Sequence, residues 1–291
     1  MQTVTFFITT ARSGTQSLHA ALQTAYSDLL VAEHEPIRYA YAPKQCLRDP
    51  AALAALRIKP VVRQHLDHIH EVLRHKSYVE VGFPAFAAAP LLAEEFGARL
   101  RLVQLVRHPV RVAASLVTHQ WFDPGRRDDI QTNIMPAPTD PGVHLKHYRD
   151  RWPHMSPFEK ALFYWSEVHL YGLEVRDALP SVPFLQLTFE DLMAQTAAHE
   201  RLVAFLNVPY RPEWSKALAR RSDNHRRTTV DTIDLADVYK HPEIIALAER
   251  FGYNVGDIQK RAFMMRYRGS WITRTLRRLK RALVRRIVPS G

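Results

Sequence analysis

Two short segments of the 291-residue chain concentrate the side chains that grip a phosphate. Thr10-Ala11-Arg12-Ser13-Gly14-Thr15-Gln16-Ser17-Leu18 combines one glycine, one arginine and several hydroxyls. Glycine lets a backbone approach a ligand closely, hydroxyls donate hydrogen bonds, and a guanidinium adds a fixed charge with a forked set of donors. Set between a strand and a helix, such a turn also presents the unpaired N–H groups of the helix start, which carry partial positive charge. The plain alternative is a capped helix start, with Ser13 or Thr15 as the cap. In the second segment, Leu105-Val106-Arg107-His108-Pro109-Val110-Arg111-Val112-Ala113-Ala114-Ser115, Arg107 ends an apolar run. Ser115 lies two turns into the helix that Pro109 opens, so one charged and one neutral donor form a second anion grip. Gly14 is the only glycine in the first 81 residues, so the GxxxxGK[ST] loop is absent, which argues against a nucleoside-triphosphate kinase or a GTPase.

Phosphate chemistry on a hydroxyl acceptor needs a base, and two carboxylates sit at the ends of apolar runs. Glu35 follows Leu29-Leu30-Val31-Ala32 in His34-Glu35-Pro36, and Glu80 lies in Tyr78-Val79-Glu80-Val81. A carboxylate desolvated beside a sheet has its pKa raised toward neutrality, a rise that Arg12 would oppose. The structural alternatives are that Glu35 caps a turn or pairs with Arg38, and that Glu80 pairs within the sheet. The cluster His65, Asp67, His68, His70, Glu71 and His75 puts His65 and His68 on one helix face but not three ligands together. It reads as a polar, solvated face, and no metal is expected.

These residues need a scaffold that brings strand ends together. Val4–Thr9, Leu29–Ala32, Tyr78–Val81, Leu102–Val106 and residues 182–188 read as strands. Helical periods fall between them, over 15–25, 60–75, 84–96 and from Pro109 onward. Alternation of this kind predicts an α/β fold, a parallel sheet with helices on both faces, whose ligands bind at the carboxyl ends of the strands. Residues 122–157 carry six prolines and little periodicity, the pattern of a lid or acceptor-binding loop.

Composition bounds the partners. With 46% hydrophobic and 24% charged residues the chain is globular. Cys46 is its one cysteine, which excludes an intrachain disulfide and fits a reducing compartment. The start MQTVTFFITTARSG lacks the basic region of a signal peptide, and no run of 18 apolar residues occurs, so a cytoplasmic location is expected. The net charge of +11 is unevenly spread: residues 261–291 hold ten Lys/Arg and no acid, leaving 30 basic against 29 acidic residues in 1–260. That division predicts one α/β domain over 1–260 and a basic tail over 261–291, and it argues against nucleic acid as a partner. In the tail, Trp271, Ile272, Leu276, Leu279, Leu283 and Ile287 form an apolar stripe among arginines, the pattern of a helix lying peripherally on an anionic membrane surface. A helix packed on the body with solvated arginines is the alternative.

With both phosphate grips in place, the chain resembles the sulfotransferases that use 3′-phosphoadenosine 5′-phosphosulfate (PAPS). Arg12-Ser13-Gly14-Thr15 is similar to the family's [KR]-S-G-T loop for the 5′-phosphosulfate. Arg107 and Ser115, in R-x-P-x5-S, are similar to the pair that holds the 3′-phosphate. Pro183 to Leu192 resembles the strand ending in Y-E-D-L, and Ala246 to Tyr253 the closing helix of many bacterial members. The resemblance spans roughly residues 3–260. It implies a P-loop-like phosphosulfate turn, PAPS as sulfuryl donor without a metal, and in-line transfer to an acceptor hydroxyl. Residues 12–17 (Arg12, Ser13, Gly14, Thr15, Gln16, Ser17) with Arg107 and Ser115 would hold the donor. Carbohydrate and tyrosylprotein members carry a catalytic glutamate similar in place to Glu35, often as Glu-Pro, which implies a sugar, glycolipid or peptidyl hydroxyl as acceptor. Glu80 resembles the glutamate of heparan-type members, although Val81-Gly82 follows instead of Lys-[ST]. Val62-Arg63-Gln64-His65 is a distant version of the histidine motif of small-molecule members. Phe189 stands where tyrosine is usual. The late Arg-Lys-Gly motif has no counterpart, and Arg226-Arg227 is either a cover for the 3′-phosphate or a solvated patch. The competing reading is a non-catalytic protein of this fold that binds nucleotide or an anionic surface.

Overall fold

The computed structural model describes residues 1–123, 128–219 and 233–268. Five strands form one sheet: β1 Val4–Thr9, β2 Leu30–Glu33, β3 Ser77–Glu80, β4 Leu100–Val106 and β5 Phe184–Thr188. Their order is β2-β3-β1-β4-β5 and every neighbouring pair is parallel. The first half of the chain supplies α1 Thr15–Tyr26, α2 Pro43–Cys46, α3 Pro50–Arg57, α4 Pro60–Val72, α5 Ala89–Phe96 and α6 Pro109–Thr118. The second supplies α7 Asp128–Asn133, α8 Pro157–Ala178, α9 Phe189–Ala194, α10 Thr196–Phe205, α11 Pro212–Ala219, α12 Pro242–Arg250 and α13 Lys260–Arg268.

Period-two alternation decides which face each side chain joins. Val4, Phe6 and Ile8 enter the larger core under α8, while Phe7 enters a second core with Leu18 and Leu22 of α1 and Trp214 of α11. A strand buried on both faces is uniformly apolar, which is why β1 and β4 read as continuous hydrophobic runs. The longest helix, α8, is buried nearly all round and starts at a capping box, in which Ser156 and Glu159 each bond the other's backbone. Such a cap contributes about 1 kcal/mol.

Two sequence expectations change in detail. Residues 84–96 are not one helix: a 3-10 turn over Phe86–Ala88 precedes α5. Pro90 has no N–H to give the Phe86 carbonyl, so a regular α-helix cannot run from Phe86 through it, and α5 begins at Ala89 with Pro90 in its first turn. The described part of 122–157 is fastened to the body. Buried Glu167 accepts the N–H groups of His144 at 3.0 Å and Leu145 at 2.6 Å, and the Tyr148 hydroxyl meets His241 Nδ1 at 2.8 Å. Among its described residues, none lines the cleft of the site.

Candidate active site

β1 sits at the point where the sheet's connections diverge: the chain leaves it through α1 toward β2, whereas β4, on its other side, leads on to β5. Loops after such strands separate and leave a crevice at their carboxyl ends. The Thr9 hydroxyl donates to the Leu105 carbonyl at 2.6 Å and fixes the two strand ends together. Beyond it the backbone turns through Arg12 at φ 70° and Gly14 at φ 85°. Gly14 has a second reason to lack a side chain: a Cβ there would lie 2.1 Å from the ring of Phe189.

The ordinary-cap alternative for this turn does not hold. No side chain caps α1; the Ser13 hydroxyl bonds Thr10 at 2.8 Å, and Thr15 Oγ1 lies 3.1 Å from His34 Nε2. With Gly14 at the N-cap position, the start of α1 presents the partial positive pole of the helix.

The two grips, far apart in sequence, form one constellation. Arg12 Nε donates to Ser115 Oγ at 3.0 Å, and Arg107 Nη1 donates to the Arg12 carbonyl at 2.5 Å. Phe189 lies under the Arg107 guanidinium, 4.6 Å from its carbon to the ring centroid. The aromatic ring in place of tyrosine thus packs on Gly14 and holds Arg107 through its π face. Buried Arg107 Nε has no hydrogen-bond partner among the described residues. Burial, with repulsion from Arg266 and Arg111, lowers the proton affinity of this guanidinium, against the opposing pull of Tyr267 and Glu190. A desolvated cation with a spare donor is arranged to receive an anion.

A cleft of about 700 Å³ joins Arg12, Gly14, Thr15, Gln16 and Ser17 with Arg107, Ser115 and Glu35. Ser13 is fully buried within the turn. Glu35 occupies left-handed backbone at φ 52°, and its side chain lies across Gly82, where a Cβ would come within 2.6 Å of its Cγ. Burial pushes its pKa up to about 7, helped by the charge of Glu80 and opposed by the Phe83 N–H it accepts and by Arg38. Arg12, expected to oppose that rise, is turned to Ser115 instead.

Glu80 does not line the cleft. It is 1% exposed, with Oε2 2.8 Å from His65 Nε2 and accepting the Tyr41 hydroxyl at 3.4 Å, and burial raises its pKa. His65 is correspondingly not on a solvated face: Val62, His65, Leu66 and Ile69 form the buried stripe of α4. Its neighbours in the cluster each meet a different partner, His68 with Glu33 at 3.4 Å, His70 with Glu95 at 2.8 Å and Asp67 with Arg63 at 2.7 Å. Among the described residues no three such groups converge.

Several cleft residues escaped the sequence reading. His34 was visible only as the neighbour of Glu35. Arg111 is one turn beyond Arg107 on α6, a spacing that was legible, whereas Arg266 and Tyr267 arrive from α13, within the segment expected to be a tail. Tyr39, Phe83 and Trp121 stand on the Glu35 side, with the rings of Phe83 and Trp121 5.9 Å apart. The E-D-L and closing-helix segments work as a brace: Thr188 caps α9, and the Tyr253 hydroxyl donates to Glu190 Oε2 at 2.5 Å and lies 3.1 Å from the Val106 carbonyl oxygen. Arg226-Arg227 and residues 271–288 lie outside the described residues.

No family model and no curated protein matches the chain. Among solved structures it is similar to the sulfotransferase domain from the curacin biosynthetic pathway, at 19% identity and TM-score 0.49, over 87% of this chain and 99% of that one. It is also similar to the sulfotransferase domain from the Synechococcus PCC 7002 olefin synthase (13%, TM-score 0.48, covering 87% and 95%). A sulfotransferase from Alicyclobacillus acidocaldarius is similar at 14%, with TM-score 0.44 over 87% of this chain and 97% of that one.

Proposed function

We propose that the protein transfers a sulfuryl group from PAPS to an acceptor hydroxyl. The observation that carries this reading is one cleft at the carboxyl ends of β1 and β4 in which two separate anion grips meet a carboxylate of pKa about 7. The residues fit a donor with a phosphate at each end. The glycine turn at 14 and the positive end of α1 suit the 5′ end, and the spare Nε of Arg107 suits the 3′ end. When bound, PAPS supplies the activated sulfuryl group and the leaving adenosine 3′,5′-bisphosphate.

The chain's own part is positioning, charge and a base. Arg12, the loop N–H groups and the hydroxyls of Thr15 and Ser17 stabilise charge on the 5′-phosphate from fixed positions, which costs no reorganisation during transfer. Arg107 and Ser115 hold the 3′-phosphate, with Arg111 and Arg266 at the same end in place of the missing Arg-Lys-Gly motif. Glu35 takes the proton of the acceptor hydroxyl, and its raised pKa makes it a stronger base than an exposed carboxylate. With these charges on the phosphates, no step is assigned to a metal. Tyr39, Phe83 and Trp121 offer flat apolar faces beside Glu35, and with the Glu-Pro resemblance they favour a carbohydrate or glycolipid acceptor. In this reading the transferase body includes α13, with Arg266 and Tyr267 in the cleft, and the rest of the basic segment 261–291 holds it peripherally on an anionic, cytoplasmic membrane face.

Thermal unfolding with adenosine 3′,5′-bisphosphate, ATP or AMP, each without metal, tests the donor site. The bisphosphate at 100 times its Kd stabilises by about 2.7 kcal/mol, and Arg107→Ala abolishes its advantage over AMP. Equal effects of all three ligands would reduce both grips to helix starts. Bisphosphate preference without transfer from PAPS to any member of a saccharide and glycolipid panel would leave the non-catalytic binder.

A further inference from the structure

We propose that His34 is a positioning residue that makes the protonation of Glu35 depend on what occupies the phosphate turn. The proposal rests on the transferase reading above. His34 Nε2 lies 3.1 Å from Thr15 Oγ1 and 3.5 Å from Glu35 Oε1, so one ring nitrogen stands between the first residue of α1 and the carboxylate. The shorter distance is a good hydrogen bond and the longer one is at the limit.

The ring is neutral: burial, aided by the neighbouring His19, pushes its pKa down to about 4. We place the neutral ring's one hydrogen on Nδ1, the nitrogen nearer the residue's own backbone carbonyl, which leaves the lone pair on Nε2. That lone pair accepts one strong hydrogen bond, from the Thr15 hydroxyl or from the protonated form of Glu35. A phosphate at the turn draws the Thr15 hydroxyl to itself, and Nε2 is then left to the acid form of Glu35. Filling the turn therefore favours a proton on Glu35, the state Glu35 reaches when it has taken the acceptor's proton.

The surrounding groups are Glu33 on β2, His19 on α1, Arg38 in the loop after Glu35, Glu80 on β3 and Tyr164 on α8. Of these, His19 Nε2 lies 3.2 Å from the Ala32 carbonyl, and Glu80 meets His65 and Tyr41.

Calorimetry of adenosine 3′,5′-bisphosphate binding near pH 7, in buffers of different ionisation enthalpy, reads the protons taken up. The ligand's own phosphates titrate alike in every variant, so differences report the protein. The wild type takes up protons on binding, and in His34→Phe the uptake falls below about half the wild-type value while binding persists. His34→Gln, whose amide oxygen can accept in place of Nε2, restores part of it. In Thr15→Val, where Nε2 already belongs to Glu35, the uptake is also reduced. Wild-type uptake in His34→Phe and Thr15→Val overturns the proposal and leaves the transferase reading standing. Failure of the wild type to bind the bisphosphate overturns both.

Discussion

The role proposed for Glu35 as a base carries a structural cost. Its pKa of about 7 against an ordinary 4.5 means that the folded chain holds a proton the unfolded chain has released at intermediate pH. Stability therefore falls as pH rises from about 4.5 to about 7, and the loss stays in full above that. Glu35→Gln removes the ionisation, so the variant should unfold at higher denaturant than the wild type at pH 8 and equal it at pH 4. The same substitution should lower transfer by about 10²–10⁴-fold while bisphosphate binding survives. Wild-type activity should rise with pH through about 7, because the base must be ionised. A flat profile, or an active Glu35→Gln, would move the base elsewhere. Residue identity was the readable part of this scale: Arg12, Arg107, Ser115 and Glu35 were all singled out by type and spacing. The environment was not readable. That Glu80 would be sealed against His65, and Glu35 left lining the cleft, depends on Gly82 making room for one side chain and on α4 turning His65 inward.

At the scale of elements, strands were legible where burial on both faces makes a continuous apolar run, as in β1 and β4. Boundaries failed where a single proline limits the helix, as Pro90 in the first turn of α5 does. Contacts between elements were not legible at all, and the turn after β1 shows why. Its φ of 85° at Gly14 is a local demand, but the space taken by Phe189 comes from α9. Gly14→Ala meets both and should cost about 2–5 kcal/mol in urea unfolding. Adding Phe189→Leu should return only the packing share, since the backbone strain remains. Full recovery in the double variant would show that conformation is not limiting at this turn. The brace of Tyr253 on Glu190 and the Val106 carbonyl belongs to the same scale. It ties the segment after α12 to the end of β4, which is why a closing helix remote from the chemistry carries a recognisable pattern.

For the whole molecule, the informative quantity is where the charge lies. The body over 1–260 is nearly neutral, and the excess sits in 261–291, of which α13 packs on the body with Phe263 and Tyr267 buried and Arg266 in the cleft. The remaining basic residues, from Arg274 to Arg286, come later in the sequence and lie outside the described residues. Sedimentation with vesicles containing anionic lipid should bring down the intact chain at low salt and release it at 1 M salt, where screening shortens from about 10 Å at 0.1 M to about 3 Å. A chain ending at Arg268 should stay in solution and still bind the bisphosphate, since Arg266 and Tyr267 are retained. Vesicle binding by the shortened chain would place the attraction on the body instead.

The ring that walls the glycine turn also has a place in time. Phe189 follows Gly14 by 175 residues, so at about 5–20 residues per second a nascent chain carries the turn for roughly 9–35 s before its wall is made. For the last 82 residues of that interval Arg107 has been synthesised but lacks the face it rests on. The cleft proposed to hold the donor is thus completed late in translation, and ribosome-bound chains stalled before residue 189 should fail to retain the bisphosphate that longer stalled chains hold.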